Sequence, residues 1–176
     1  MVQEHIKPGD VCIDATMGNG NDTEFLCRAV GPSGRVIAFD VQEAALEHTR
    51  ERLFQNLEFV NYELHLESHE QLEKYGEKES ISAVLFNLGY LPGGDHKLAT
   101  RPESSLRAME AGLSLLKPGG IMSVCIYSGG DSGFEEKDAV LQWLRSLDPR
   151  HYLVLVTEYY NRPNHPPIPA LVVKLS

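Results

Sequence analysis

Val11-Cys12-Ile13-Asp14-Ala15-Thr16-Met17-Gly18-Asn19-Gly20-Asn21-Asp22-Thr23 passes from a short apolar run, through two glycines among short polar side chains, into a helical pattern. Residues 11 to 15 read as a buried strand. The following helix, starting near Asp22, is expected to carry Phe25, Leu26 and Val30 inward. Glycines at such a junction let backbone approach a ligand closely, and the free N–H groups of the helix start suit an anion or a carboxylate. Past the breaker Gly31-Pro32-Ser33-Gly34, a second buried strand, Arg35 to Asp40, ends in an acid about twenty residues beyond the glycines. A carboxylate there can accept hydrogen bonds from both hydroxyls of a ribose. Asp22 read alone is a helix cap and Asp40 a strand-end turn residue. The glycine loop and Asp40 together point to a nucleoside, without separating a nicotinamide cofactor from any other.

The same alternation continues along the chain. Residues 42–55 form a helix with Ala45, Leu46, Thr49 and Leu53 on one face, and Phe59 to Leu66 a third strand interrupted by Glu63 and His65. Ser68-His69-Glu70-Gln71 has the form of a capping box opening a short helix. Ile81 to Asn87 is a fourth strand, and it runs into the long loop Leu88-Gly89-Tyr90-Leu91-Pro92-Gly93-Gly94-Asp95-His96. Leu106, Met109, Leu113 and Leu116 mark a helix face, ended by Lys117-Pro118-Gly119-Gly120 before a strand from Ile121 to Tyr127. A helix over 135–147 and strands over 152–160 and 170–175, joined by a turn from Asn161 to Pro169, complete the pattern. Helices between strands imply parallel pairing, and the helix-free last pair must be antiparallel. The expectation is an α/β, doubly wound seven-stranded sheet over residues 1–176 as a single domain: mostly parallel, one antiparallel strand at or near an edge, helices on both faces, ligand at the carboxyl ends.

Composition narrows the function classes. Lys plus Arg number 16 against 25 Asp plus Glu, a net charge of −9 in 176 residues, which disfavours broad capture of a polyanion while leaving room for a local basic patch. No apolar run reaches the roughly 18 residues that cross a bilayer, so no membrane association is expected. The first ten residues resemble neither a secretory signal nor a transit peptide, which reads as cytoplasmic. Cys12, Cys27 and Cys125 form no C-x-x-C pair, and no histidine pair, His65/His69 included, falls at i, i+4 spacing inside an expected helix, so neither a disulfide framework nor a metal site is expected.

On Asp14, Gly18 and Gly20, on Asp40, on Leu116-Lys117-Pro118-Gly119-Gly120 before the fifth strand, and on the closing strand pair, the chain resembles the class I S-adenosylmethionine-dependent methyltransferases, with their Rossmann-like fold. Asp14-Ala15-Thr16-x-Gly18-Asn19-Gly20-x-Asp22-Thr23, Ser68-His69-Glu70, Asn87 through His96, and Asn161-x-x-Asn164-x-Pro166-Pro167 are similar to a narrower group. These are the MnmM-type tRNA wobble-uridine methyltransferases, formerly labelled rRNA methylases. The resemblance implies S-adenosyl-L-methionine as cofactor, the tRNA anticodon loop as partner, and methyl transfer to the aminomethyl nitrogen on C5 of wobble 2-thiouridine. The lead-in before the first strand is short for this group, as if an N-terminal helix were truncated, and Glu63 and Glu67 surround the expected adenine pocket.

Cofactor contacts are then expected from Asp14, Gly18, Asn19, Gly20, Asn21, Asp22, Asp40, Gln42, Ser68 and His69. Methyl transfer from a sulfonium needs a lone pair held in line, so positioning does most of the work. Asn87 can accept an N–H of the acceptor amine, Tyr90 can pack on the base, and Asp95 or His96 can take the proton of an ammonium. The stretch Asn87-Leu88-Gly89-Tyr90 resembles the D/N-P-P-Y/F loop of amine methyltransferases, with Leu88-Gly89 in place of the prolines. Arg101, beside Thr100, Tyr160, Asn161 and Asn164 are the candidate substrate contacts, with Arg162 and His165 in the same proline-stiffened turn. A homodimer would gather Arg101, Arg107 and Arg162 into one groove. Small-molecule or rRNA N-methylation, a non-catalytic cofactor-binding subunit and a nicotinamide-dependent oxidoreductase are the alternatives.

Overall fold

The computed structural model describes residues 1–88, 102–127, 133–164 and 166–176. Seven strands form one sheet: β1 (Val11–Asp14), β2 (Arg35–Asp40), β3 (Tyr62–Leu66), β4 (Ile81–Leu88), β5 (Leu116–Ile126), β6 (Tyr152–Val156) and β7 (Ile168–Lys174). Their spatial order is β3-β2-β1-β4-β5-β7-β6. β1 through β5 are parallel, and β7 runs antiparallel to both β5 and β6, one place in from the edge. The chain moves outward from β1 to β3 and then returns to the other side, so β1 and β4 are neighbours whose connections leave in opposite directions. Ligands of such sheets sit at that divide, outside the carboxyl ends.

Four helices cover both faces: α1 (Asn21–Val30), α2 (Glu43–Asn56), α3 (Pro102–Leu115) and α4 (Gly133–Ser146). Leu26, Cys27 and Val30 of α1 and Leu53 of α2 pack with Cys12, Val36 and Leu85 on one face. Met109, Leu113 and Leu115 of α3 and Val140 and Leu144 of α4 pack with Ile37, Phe86 and Val124 on the other.

Several local expectations are corrected. Phe25 is 36% exposed, because the buried stripe of α1 is Thr23, Leu26, Cys27 and Val30. Phe25 lies two residues before Cys27, about 200° around the helix. Leu116 is not the last turn of α3 but the first residue of β5, opposite Ile81. Lys117 to Gly120 form an irregularity inside the ladder, whose pairing jumps from Ile81↔Leu116 to Ala83↔Ile121. The segment after Ser68 is a 3-10 helix, His69–Lys74, capped by Ser68 Oγ on the Glu70 N–H at 3.3 Å, without the reciprocal bond of a capping box. β3 starts at Tyr62 rather than Phe59, and its polar residues are those of an edge strand. Glu63 pairs with Arg35 at 2.7 Å, and His65 stacks near Phe39 and Tyr75. β6 stops at Val156, so Thr157 to Tyr160 belong to the following loop.

Candidate active site

The strand β1 delivers Asp14 fully buried at its carboxyl end. Its Oδ2 accepts from Thr23 Oγ1 at 2.6 Å and its Oδ1 from the Thr16 N–H at 3.1 Å. Burial pushes its carboxyl up to about 7, with the nearby charges of Asp22 and Asp40 acting in the same direction. Between Asp14 and α1 the backbone turns through Gly18 and Gly20, both at positive φ (51° and 77°). At Gly20 a side chain would also meet Thr49 of α2, within 2.9 Å of its Oγ1. No side chain caps α1 at Gly20, so the first-turn N–H groups that a cap would take remain for a ligand.

The loop is fastened to its neighbours by bonds that sequence spacing does not reveal. The Gly18 N–H donates to Asp40 Oδ2 at 3.0 Å, and the Gln42 N–H donates to Asp40 Oδ1 at the same distance. Both oxygens of the candidate ribose acid are thereby aimed, each keeping a second lone pair for a hydroxyl. Thr49 Oγ1 donates to the Gly18 carbonyl, and Arg52 Nε to the Asn19 carbonyl at 2.8 Å. Asn19 Oδ1 lies 3.3 Å from His48 Nδ1, so the Asn19 side chain is turned onto α2, while Asn21 is exposed.

Across the divide, Asn87 near the end of β4 is tied to this loop twice. Its N–H donates to Thr16 Oγ1 at 2.7 Å, and its Nδ2 donates to Asp22 Oδ2 at 2.7 Å. His69 is buried against the Ala15 backbone and edge-on to Phe86, and its burial lowers its pKa, so the ring stays neutral at physiological pH. Ser68 serves as the cap of the 3-10 segment. Because β6 runs parallel to β5, the β6–β7 loop with Tyr160, Asn161 and Asn164, all exposed, emerges at the same carboxyl edge as Asn87. Tyr90, Asp95, His96, Arg101 and His165 lie outside the described residues. Thr16, Thr23 and Thr49 are not among the cofactor contacts expected from the sequence. The first two carried a signal, as hydroxyls flanking the glycines, but their partners lie on other strands and helices.

Two carboxylates, Asp22 and Asp40, therefore flank the glycine loop, with the buried Asp14 beside them. That charge suits a ligand bearing a sulfonium and an ammonium, and it opposes the pyrophosphate of a nicotinamide cofactor. Comparison with known proteins agrees. The model of the family described as "Putative rRNA methylase" matches residues 36–173. The chain belongs to this family. It is 43% identical to an rRNA methylase of the same description from Clostridium thermocellum, with a TM-score of 0.94 over 99% of this chain and 93% of that one. It is 40% identical to a "putative methyltransferase" from Streptococcus mutans in complex with SAH, with a TM-score of 0.89 over 99% and 93% of the two chains. It is also 35% identical over 173 residues to the chloroplastic tRNA (mnm(5)s(2)U34)-methyltransferase of Arabidopsis thaliana, covering 93% of this chain and 63% of that one. Membership in the rRNA methylase family places the chain among the class I S-adenosylmethionine-dependent methyltransferases and sets aside the oxidoreductase reading. No helix among the described residues is long and apolar enough to cross a membrane.

Two expected results follow from the cradle. Asp40→Ala should weaken S-adenosylhomocysteine binding by roughly 1–3 kcal/mol, since hydroxyls lose their acceptor and Gly18 its anchor. Calorimetry with unchanged affinity would take Asp40 out of the ribose site. Ser68→Ala should cost about 1 kcal/mol of stability with cofactor affinity unchanged, because its Oγ serves the Glu70 N–H. A loss of affinity with intact stability would make Ser68 an adenine contact.

Proposed function

We propose that the protein transfers the methyl group of S-adenosylmethionine to the aminomethyl nitrogen on C5 of a wobble 2-thiouridine in tRNA. The observation that carries this reading is the lock on Asn87. With Nδ2 given to Asp22 and the backbone N–H given to Thr16, the side-chain Oδ1, to which none of the described residues donates, is left as the acceptor for an incoming N–H. An amine held there presents its lone pair from a fixed direction, which is what an in-line transfer requires. The 35% identity to a tRNA wobble-uridine enzyme supports the choice of acceptor.

Asp40, Gly18 and Gln42 would hold the ribose, the Gly18–Asp22 turn and the start of α1 the methionyl end, and His69 the adenine, with Ser68 capping the 3-10 segment that carries His69. When bound, S-adenosylmethionine supplies an electrophilic methyl on a positively charged sulfur. Asp22 holds Asn87 and keeps negative charge beside the incoming ammonium, whose proton must leave to solvent or to a base before attack. Asp95 and His96 stay the candidates for that base. Tyr90 is the candidate for packing on the acceptor, and Arg101, Tyr160, Asn161 and Asn164 for holding the RNA. A wobble base belongs to a single-stranded loop and can be splayed into such a site. We keep the cytoplasm as the compartment.

The deciding experiment incubates tRNA bearing 5-aminomethyl-2-thiouridine with the protein and isotopically labelled cofactor, followed by mass spectrometry of wobble nucleosides. Labelled 5-methylaminomethyl-2-thiouridine is the expected product. Methylation of a free small amine at a rate indifferent to RNA, or of rRNA alone, would replace this reading. Salt should weaken tRNA binding less steeply than for a basic RNA-binding protein, since a chain of net charge −9 neutralises few phosphates. A homodimer that joins Arg101, Arg107 and Arg162 of two copies would supply those few, and a steep slope on a monomer would contradict the picture.

A further inference from the structure

Tyr127 follows directly on β5, and neither the acid-glycine loop nor the strand-four motif points to it. Its N–H donates to the Leu88 carbonyl at 3.2 Å, so its backbone lies against the end of β4. Asn87 and Cys125 are paired across the parallel β4–β5 ladder and share a face of the sheet. Alternation along the strand puts Tyr127 on that face as well, two residues beyond Cys125. The Cys125 thiol, the Asp22 carboxylate and Tyr159 all lie near enough to act electrostatically on its hydroxyl. Asp22 is the residue that holds Asn87. Tyr159 comes from the β6–β7 loop at the same carboxyl edge.

A strand-end tyrosine that served only packing would hide its ring. Tyr127 instead stays 43% exposed, and Tyr159, in the loop at the same edge of the sheet, is 52% exposed. Two exposed tyrosines thus stand at the sheet edge that holds Asn87, the amide positioned to receive an acceptor amine. The distances suit a pyrimidine with a one-carbon amine arm. Such an arm spans about 2.5 Å from ring carbon to nitrogen. Adjacent strands are about 4.8 Å apart, so a nitrogen held at Asn87 leaves its ring over the neighbouring strand end, where Tyr127 stands.

We propose that Tyr127 is the wall of the acceptor subsite, a stacking platform for the pyrimidine ring of an unstacked nucleotide, with Tyr159 completing the cradle. The proposal rests on the reading of the substrate as RNA. It makes Tyr127 a positioning residue whose ring, rather than hydroxyl, is what the substrate uses.

Tyr127→Ala should lower kcat/KM for tRNA about 10- to 100-fold, the range expected for loss of one base–aromatic stack, chiefly through KM. S-adenosylhomocysteine affinity should stay within about twofold. Tyr127→Phe, which keeps the ring, should lose no more than about threefold. Equal losses in both variants, or wild-type kinetics in Tyr127→Ala, would overturn the stacking role. Should the alanine variant fail to fold by thermal melting, Tyr127→Leu carries the same comparison. If the wild-type protein methylates no tRNA, the substrate reading fails on its own. The platform is then judged by NMR of the Tyr127 ring, identified by its loss in Tyr127→Phe, on adding millimolar uridine with S-adenosylhomocysteine present. A shifted ring signal supports the platform, and an unshifted one overturns it.

Discussion

Asn87→Ala lowers turnover about 100-fold while affinity for S-adenosylhomocysteine stays nearly unchanged: this is the expected result for a group whose task is alignment. The substitution removes Oδ1, to which none of the described residues donates. It leaves in place the N–H bond to Thr16 that fixes the end of β4. Asp22 loses its Nδ2 partner, but it is only half-buried and water can replace that donor. Aspartate is not a milder replacement. It would set a second carboxylate where Asn87 Nδ2 now meets Asp22 Oδ2 at 2.7 Å, exchanging a hydrogen bond for repulsion. Single-turnover rates with tRNA and calorimetry with S-adenosylhomocysteine separate the two effects. Wild-type turnover in Asn87→Ala would move the acceptor site away from β4.

The elements of this fold are legible because their signals are local. Asp14 ends an apolar run, Gly18 and Gly20 follow within six residues, and Asp40 closes the next strand, so spacing alone joins them. The antiparallel closing pair is legible for the same reason, since no helix separates Tyr152–Val156 from Ile168–Lys174. What joins these parts is not local. The Asn87 bonds to Asp22 and Thr16 cross 65 and 71 residues, and they exist only because the sheet order makes β1 and β4 neighbours. Nothing about Arg52 or His48 in a helical pattern says that they hold the Asn19 turn. Leu116 fits the helix face although it starts β5, because an apolar residue at i+10 satisfies a helix face and a buried strand start equally well. Tyr127 escaped notice because one tyrosine after a strand has no pattern. Only the β4–β5 register puts it beside Asn87.

The buried acid of the motif gives the other large effect, and it concerns pH. Asp14 has its carboxyl raised from the ordinary 3.8 to about 7 by burial. The folded protein therefore keeps a proton there that the unfolded chain releases. Its contribution to stability is complete below about pH 4 and is lost as pH rises to about 7, a total of roughly 4 kcal/mol. Asp10, Glu24 and Glu63, held below their ordinary values by hydrogen bonds and ion pairs, act in the opposite sense and over a lower range. Asp14→Asn isolates the effect, because those groups are unchanged in it and cancel in the comparison. The amide can also keep both bonds, with Oδ1 accepting from the Thr16 N–H and Nδ2 donating to Thr23 Oγ1. In urea unfolding, the stability of Asp14→Asn relative to the wild type should rise by about 3 kcal/mol between pH 5 and pH 8. A constant difference across that range would mean that Asp14 is ionised throughout. The same proton should mark cofactor binding. On the proposed placement of the methionyl end at the Gly18–Asp22 turn, its positive charge would favour the charged form of Asp14, so the wild type should release a proton on binding S-adenosylmethionine near pH 6.5 and Asp14→Asn should not. Calorimetry in buffers of different ionisation enthalpy reads that difference directly, and equal binding enthalpies across buffers for the wild type would detach Asp14 from the cofactor's charge.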